Sequence, residues 1–325
     1  IRHILAATGH RVIQTGNIRQ RSMLDTLDSI KIGDIVVTEL SSFQLDYLRP
    51  LKTSPPVAVV TNISRDHVNR HGTMSAYIAA KQQIVQFQKP TDTAVLNADA
   101  PLLRSFAKKT KAQTIWFSAR GAREAAVTVR AGWVVVGKTR IVAVKQLPIP
   151  GPHNVENDLA AVATAQALGV LPATIRQAVA SFTPLAHRLE LVRRWRGHEF
   201  INDTTATSPV GTLAALKTYP KALFIIGGTD KQLDFRELSA ALAARHAPLV
   251  FLPGNATDKI QRLLKSAGYR ARHHQAISMA DAVRAAVEIV RPGQAIVLSP
   301  GAASFGMFVH EFDRGQQFVR AVNRL

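Results

Sequence analysis

Between positions 39 and 81 the chain sets out a carboxylate, an imidazole and a primary amine, each near the end of an apolar run. Glu39 closes Asp34-Ile-Val-Val-Thr-Glu39 and opens Glu39-Leu-Ser-Ser-Phe-Gln-Leu. His67 lies in Asn62-Ile-Ser-Arg-Asp66-His67-Val-Asn-Arg70-His71-Gly72, and Lys81 ends Tyr77-Ile-Ala-Ala-Lys81. Open α/β sheets place their ligand sites outside the carboxyl ends of successive strands, which is where these three recur. Singly, each has an ordinary explanation: a strand-end glutamate is solvated, a lone histidine is structural, a helix lysine faces water. Together they form a candidate site.

The second half of the chain repeats one arrangement, a strand followed by a loop of small and hydroxyl residues. Asp203-Thr-Thr-Ala-Thr207-Ser208, Gly227-Gly228-Thr-Asp-Lys231 and Ser299-Pro-Gly-Ala-Ala-Ser304-Phe each follow an apolar run, and Phe312-Asp-Arg314-Gly315 comes soon after. Paired glycines allow backbone amides to approach a ligand, and Lys231 and Arg314 are cations suited to carboxylate or phosphate. Another stretch, Gly132-Trp-Val-Val-Val-Gly137-Lys138-Thr139, satisfies the phosphate-loop pattern letter for letter. A working phosphate loop is entered from a strand and opens a helix whose amides cradle the phosphates. Here a valine-rich strand lies inside the match and another comes after it, so a hairpin is expected.

Short apolar runs alternating with longer helical patterns position these loops and predict βαβ units with parallel sheets. Ile35–Val37, Val57–Thr61 and Ala94–Leu96 read as buried strands, with helices over 73–88 and 101–111. From Gln113 to Leu147 β-rich runs joined at Ala131-Gly132 and Gly137-Lys138 predict a small antiparallel meander attached to the first domain. Helices are expected over 156–168, after Gly151-Pro-His153-Asn154, and over 172–180, with a domain boundary near Pro184. Further strands are expected within 199–203, 222–226, 248–252 and 295–299, and Ser208-Pro209 predicts a helix start with a hydroxyl cap. The expected fold class is α/β: two three-layer parallel-sheet domains, over 1–184 and 185–325.

A length of 325 residues, 46% of them hydrophobic, is enough for two cores. No apolar stretch approaches the roughly 18 residues of a membrane span, and no secretion leader is evident. The absence of cysteine excludes disulfides and thiolate metal sites, and fits the cytoplasm. A net charge of +19 suits nucleic acid or anionic small substrates. Zinc-finger spacing and basic runs interleaved with aromatics are both missing, which argues against a nucleic-acid partner.

These motifs together resemble those of the Mur ligases, the ATP-dependent enzymes that add amino acids to the peptide stem of the bacterial cell-wall precursor. The likeness runs from Glu39-Leu-Ser-Ser-Phe-Gln-Leu through Asp66-His67, Arg70-His71-Gly72, Tyr77 and Lys81, then Gly151-Pro-His153-Asn154 and Asn157. It continues through His187-Arg188-Leu-Glu190, Asn202-Asp203, Thr207, Gly227-Gly228, Lys231, Asp234-Phe235 and Ser299-Pro to Ala303-Ser304, covering essentially the whole chain in order. It is strongest to the members that add D-glutamate to UDP-N-acetylmuramoyl-L-alanine. The resemblance implies a Mur-type central ATPase domain followed by a Rossmann-like amino-acid-binding domain. It also implies a monomeric cytoplasmic enzyme that phosphorylates the substrate carboxylate with ATP, and an attack of the D-glutamate amine on the acyl phosphate. Glu39, His67 and a carbamylated Lys81 would be the catalytic, magnesium-binding set, with manganese as a substitute metal. Asn154, Arg188 and Asp203 would bind ATP; Thr207, Lys231, Ser304 and Phe312 would hold D-glutamate; and Asn17, in Thr15-Gly16-Asn17-Ile18, would help hold the uridylated substrate.

The pattern also departs from the family. A glycine-rich phosphate loop and a uridine-nucleotide domain precede the matching part in family members, and the chain begins at Ile1 without them. A piece of a longer protein, inactive as a ligase alone, is the expectation. Thr205 stands where the family usually has lysine, and Arg19 where it has glycine. The competing readings are a relative adding another amino acid, such as a diamino acid, a catalytically dead binding or scaffold protein, and a nucleic-acid binder resting on charge alone. Lys231 with Thr207 and Ser304 favours glutamate over a diamino acid, which would call for an acidic or arginine-rich clamp.

Overall fold

The computed structural model describes residues 1–18, 23–63 and 68–325. Its contacts divide into two compact units, Ile1–Pro148 with His153–Phe182, and Ile149–Pro152 with Thr183–Leu325.

In the first unit β1 (Val12–Gly16) and β2 (Ile35–Glu39) form a parallel pair, with Gly16 opposite Glu39. A six-stranded sheet runs in sequence order: β3 (Val57–Val60), β4 (Thr93–Asn97), β5 (Gln113–Ser118), β6 (Val127–Arg130), β7 (Trp133–Val136) and β8 (Thr139–Ala143). Strands β3 to β6 run parallel and β6 to β8 antiparallel. Strands β6 to β8 are the expected antiparallel meander, without β5, which pairs parallel on both sides. Because β6 pairs with β5, they complete the same sheet. The phosphate-loop look-alike is a pair of hairpins. Ala131 and Gly132 take φ of +47° and +76°, the double left-handed geometry of a tight turn matched to strand twist, and Gly137 takes +58° before β8.

Parallel strands carry apolar residues on both faces and need cover on both. Helices Arg2–Ala6, Pro152–Ala167 and Pro172–Ala180 supply Ile4, Leu159, Ala163 and Ile175 to one core. Helices Met74–Gln86 and Leu103–Ala107 supply Val85, Leu103 and Phe106 to the other. The helix expected from 156 begins at Pro152, where the fixed proline φ suits a first helical turn and the missing N–H costs nothing. Asn154 therefore sits in that turn.

The second unit has strands β9 (Glu190–Trp195), β10 (His198–Asn202), β11 (Leu223–Gly227), β12 (Leu249–Leu252), β13 (His273–Gln275) and β14 (Ile296–Leu298), in the order β13-β12-β11-β14-β10-β9. All pairings are parallel except the β9 edge. The chain steps outward from β10 to β13 and then returns to insert β14 between β11 and β10. Right-handed crossovers in opposite directions place their helices on opposite faces. Helices Pro209–Thr218, Arg236–Ala244 and Asn255–Ser266 accordingly pack in one core, and Met279–Ile289 and Glu311–Asn323 in the other. Such a reversal is where doubly wound sheets place ligands, and it brings together the loops after β10, β14 and β11. At the helix start after β10, Pro209 occupies the first turn, but the Ser208 hydroxyl makes no capping bond.

The paired glycines have a role other than exposing amides. A Cβ on Gly228 would lie 2.3 Å from the Ala303 carbonyl oxygen, and one on Gly254 would lie 2.1 Å from the Gly228 oxygen. These loops stack backbone on backbone. Gly268 also has positive φ but meets nothing within 4 Å, so it separates backbone strain from clash. Gly268→Ala is expected to lose about 1 kcal/mol of unfolding free energy. Gly254→Ala is expected to lose roughly 2 kcal/mol more, because backbone cannot move aside as a side chain can. Urea denaturation of the two variants measures the difference.

Candidate functional site

In the first unit, Glu39 is held at its strand end by the residues around it. Gly16 lies opposite with φ +103°, and any Cβ there would lie 2.1 Å from the Glu39 carbonyl oxygen. The Asn17 amide donates to that oxygen at 2.7 Å, and its side chain donates to Glu39 Oε1 at 3.3 Å. Two residues beyond Glu39, Ser41 caps the helix Ser42–Leu48 with a full capping box: the Gln44 amide donates to Ser41 Oγ, and the Ser41 amide donates to Gln44 Oε1. Ser42 pairs with His71 Nε2 at 3.0 Å, and the His71 ring stacks on Phe43 with centroids 5.5 Å apart. Most of Glu39-Leu-Ser-Ser-Phe-Gln-Leu therefore fixes a chain reversal, and that reversal leaves the Glu39 carboxylate exposed to solvent.

Lys81, on the helix Met74–Gln86, reaches the Leu40 carbonyl at 3.5 Å. Glu39 and Lys81 line one cavity of about 430 Å³ together with Thr61 and Asn62, which come directly after β3. The structure thus brings together Glu39, Lys81 and Asn17. His67 and Arg19 lie outside the described residues. Among the described residues no group of three or more His, Asp or Glu gathers as a metal cage. Asn154 opens its helix near the end of β4, where Asn97 donates to Glu156 at 3.4 Å.

In the second unit, Arg188 stands exposed between two left-handed residues, His187 at φ +71° and Leu189 at φ +45°. Strained backbone persists only when its surroundings hold it. Here the His187 amide donates to Glu190 Oε2 at 2.7 Å and the Leu189 amide to Asp203 Oδ1 at 3.3 Å. Thr205 donates its hydroxyl to the His187 carbonyl at 3.0 Å. Asn202 is fully buried and links His187 Nδ1 at 2.8 Å to Glu190 and Gly315. Asp203 also accepts from the Ser299 hydroxyl at 2.8 Å.

The loops that carry the other expected ligands are tied together. The Gly301 amide donates to the Ala206 carbonyl beside Thr207, and Thr229 and Ala303 exchange both backbone bonds, which places the Lys231 and Ser304 segments side by side. Lys231 is exposed, with its ammonium 5.3 Å from the Phe305 ring centroid, and Ser304 is buried. Phe312 packs against His187 at 5.6 Å between centroids. Arg314 does not serve as a substrate cation. Its side chain is fully buried, and it donates to Thr204 Oγ1 and Thr204 O, both at 2.9 Å, and to Ala302 O at 3.1 Å. Position in a polar loop suggests a ligand; only packing shows that its donors are committed. The supports Asn202, Glu190, Gln44 and His71 lie within the sequence motifs; Gln44 and Glu190 act on neighbours three residues away, whereas partners distant in sequence give Asn202 and His71 their roles.

Family models match most of the chain: "Mur ligase middle domain" over residues 1–165 and "Mur ligase, glutamate ligase domain" over 187–302. The UDP-N-acetylmuramoylalanine–D-glutamate ligase of Roseiflexus sp. (strain RS-1) is 41% identical over 94% of this chain and 69% of its own length. The ligase of the same name from Symbiobacterium thermophilum is 38% identical over 100% of this chain and 72% of its own. Among solved structures, the MurF ligase of Thermotoga maritima in complex with ADP has a TM-score of 0.72 at 15% identity, covering 99% of this chain and 77% of that one. At that identity it shows the fold. Among the described residues no helix is long and apolar enough to cross a membrane.

Burial raises the Asp203 carboxyl to about 6, against the opposing pull of the Ser299 hydroxyl, the Leu189 amide and the Arg188 charge. An unfolded aspartate titrates near 3.9, so between these values the folded state holds a proton that the unfolded chain has lost. That contribution is complete below about pH 4 and is lost as pH rises through about 6, a change of at most roughly 3 kcal/mol. Asp203→Asn should flatten the stability profile across this window. Parallel profiles for wild type and variant would show that Asp203 is not the group responsible.

Proposed function

Because the chain belongs to the Mur ligase family, whose members depend on ATP, we propose that it joins D-glutamate to UDP-N-acetylmuramoyl-L-alanine through an acyl phosphate. The observation that carries the amino-acid assignment is 41% identity across 94% of the chain to a ligase of that specificity. The exposed Lys231 beside the Ser304 loop supports it, since an ammonium on a hydroxyl-lined loop suits a second carboxylate.

In this reading Arg188 and Asn154 bind the nucleotide, and Asp203 faces its ribose. The left-handed backbone around Arg188 fixes where its side chain starts, so only the side chain itself is left to order on binding. Thr207, Lys231, Ser304 and Phe312 orient D-glutamate, and Asn17 both contacts the uridylated substrate and aims the Glu39 carboxylate.

Magnesium is held through one or two carboxylates plus substrate phosphates and water, rather than by an all-protein cage. An exposed, oriented Glu39 fits that donor set, and a carbamylated Lys81 lining the same cavity adds a second oxygen ligand, with His67 as the third residue. When bound, the ion neutralises charge shared between nucleotide and acyl phosphate. The chain's own part is to keep the Glu39 carboxylate fixed, hold the Lys81 side chain against the Leu40 carbonyl and align the amine.

Two measurements test the assignment. By calorimetry, Lys231→Ala should weaken D-glutamate binding about ten- to a hundred-fold, the loss expected for one charged hydrogen bond, while leaving ATP binding intact. Arg188→Ala should do the reverse, and salt-sensitive DNA binding indifferent to both changes would overturn the ligase reading. Carbon-13 NMR in labelled bicarbonate should show a carbamate resonance that disappears in Lys81→Ala. No such resonance in the wild type removes the carbamate from the scheme.

A further inference from the structure

The end of the second unit's sheet opposite the substrate loops carries a cavity of about 550 Å³. Five cations line it: Lys221, Arg245, Arg270, Arg272 and Arg291, with His246 among them and no Asp or Glu. They come from four segments, each leading into the amino-terminal end of a different parallel strand, β11 to β14, with Arg270 and Arg272 together before β13. The side chains of Lys221, Arg270, Arg272 and Arg291 make no hydrogen bond or ion pair among the described residues. Arg245 donates to the Leu216 carbonyl rather than to an acid.

An ordinary account exists for part of this charge. Four helices end near the cavity, at Thr218, Ala244, Ser266 and Ile289. Each helix end carries about −0.5 of an elementary charge, so together they offset roughly two of the five cations. The remainder is concentrated around one concave space. Like charges held this close repel one another, and a compact anion of several charges relieves that repulsion where single chloride ions do so poorly. The volume falls in the range of small-ligand pockets, and planar guanidinium groups match phosphate oxygens two at a time.

We propose that this cavity is a second anion site, separate from the substrate loops, that takes a compact oligophosphate. Its charge is placed by the strand entries and does not depend on the ligase assignment.

Calorimetric titration with sodium tripolyphosphate at about 0.15 M salt, close to physiological ionic strength, tests it. The wild-type chain should bind saturably, and the triple variant Arg270→Gln, Arg272→Gln, Arg291→Gln should lose at least ten-fold in affinity with its unfolding temperature unchanged. The double variant Arg188→Ala, Lys231→Ala should retain this binding. Equal affinity in wild type and triple variant overturns the proposal, as does loss of all tripolyphosphate binding in the double variant. Variant-sensitive binding to anionic vesicles or RNA without saturable tripolyphosphate binding assigns the patch to a macromolecule instead and overturns it as well.

Discussion

The buried guanidinium of Arg314 governs the geometry of the second unit. A charge removed from water is costly unless its donors are met, and burial pushes this group down to about 10 while leaving it protonated at neutral pH. Its partners are the Thr204 hydroxyl and carbonyl, after β10, and the Ala302 carbonyl, after β14. The Thr204 hydroxyl in turn donates to the Glu311 carbonyl, at the start of the last helix. Three segments distant in sequence thus share one cation, and none can shift without leaving a buried donor or acceptor unpaired.

The first unit reaches a comparable end without a buried arginine. Its Glu39 carboxylate stands at the end of a short parallel pair, and the next helix and its neighbours supply the rigidity: a capping box, a serine–histidine bond and an aromatic stack on the returning segment. Each interaction is worth about 1 kcal/mol. Together they leave the Glu39 carboxylate free of structural duty. In both units most residues proposed to meet a ligand are exposed or half-buried; their supports are buried in the second unit at Asn202, Thr204, Ser299 and Arg314, and half-buried in the first at Ser41, Phe43, Gln44 and His71.

Legibility in the sequence divides along the same line. The parallel strands, the hairpins behind the false phosphate loop and the ligand loops are readable because apolar runs and turn residues act locally. Strands β1, β9 and β13 are not: β1 carries only Val12 and Ile13 as an apolar signal, β9 is a charged edge strand, and β13 is a three-residue edge without one. Arg314 misleads because a cation in a polar stretch of sequence resembles a ligand whether or not carbonyls 110 and 12 residues away in the chain already occupy it. The pair Gly227-Gly228 suggests an opening toward a ligand, whereas Gly228 fits against backbone that only the fold brings near.

That glycine contact has a consequence for how such a protein can change over time. Where loops touch through bare backbone, a substitution at the contact is a structural lesion, and drift there is closed off. Under the proposed assignment, new preference for one amino acid over another is written elsewhere, at positions such as the half-buried Thr207 and the exposed Lys231. The loops behave as a fixed chassis with interchangeable tips, so divergence in specificity can proceed without re-solving the fold.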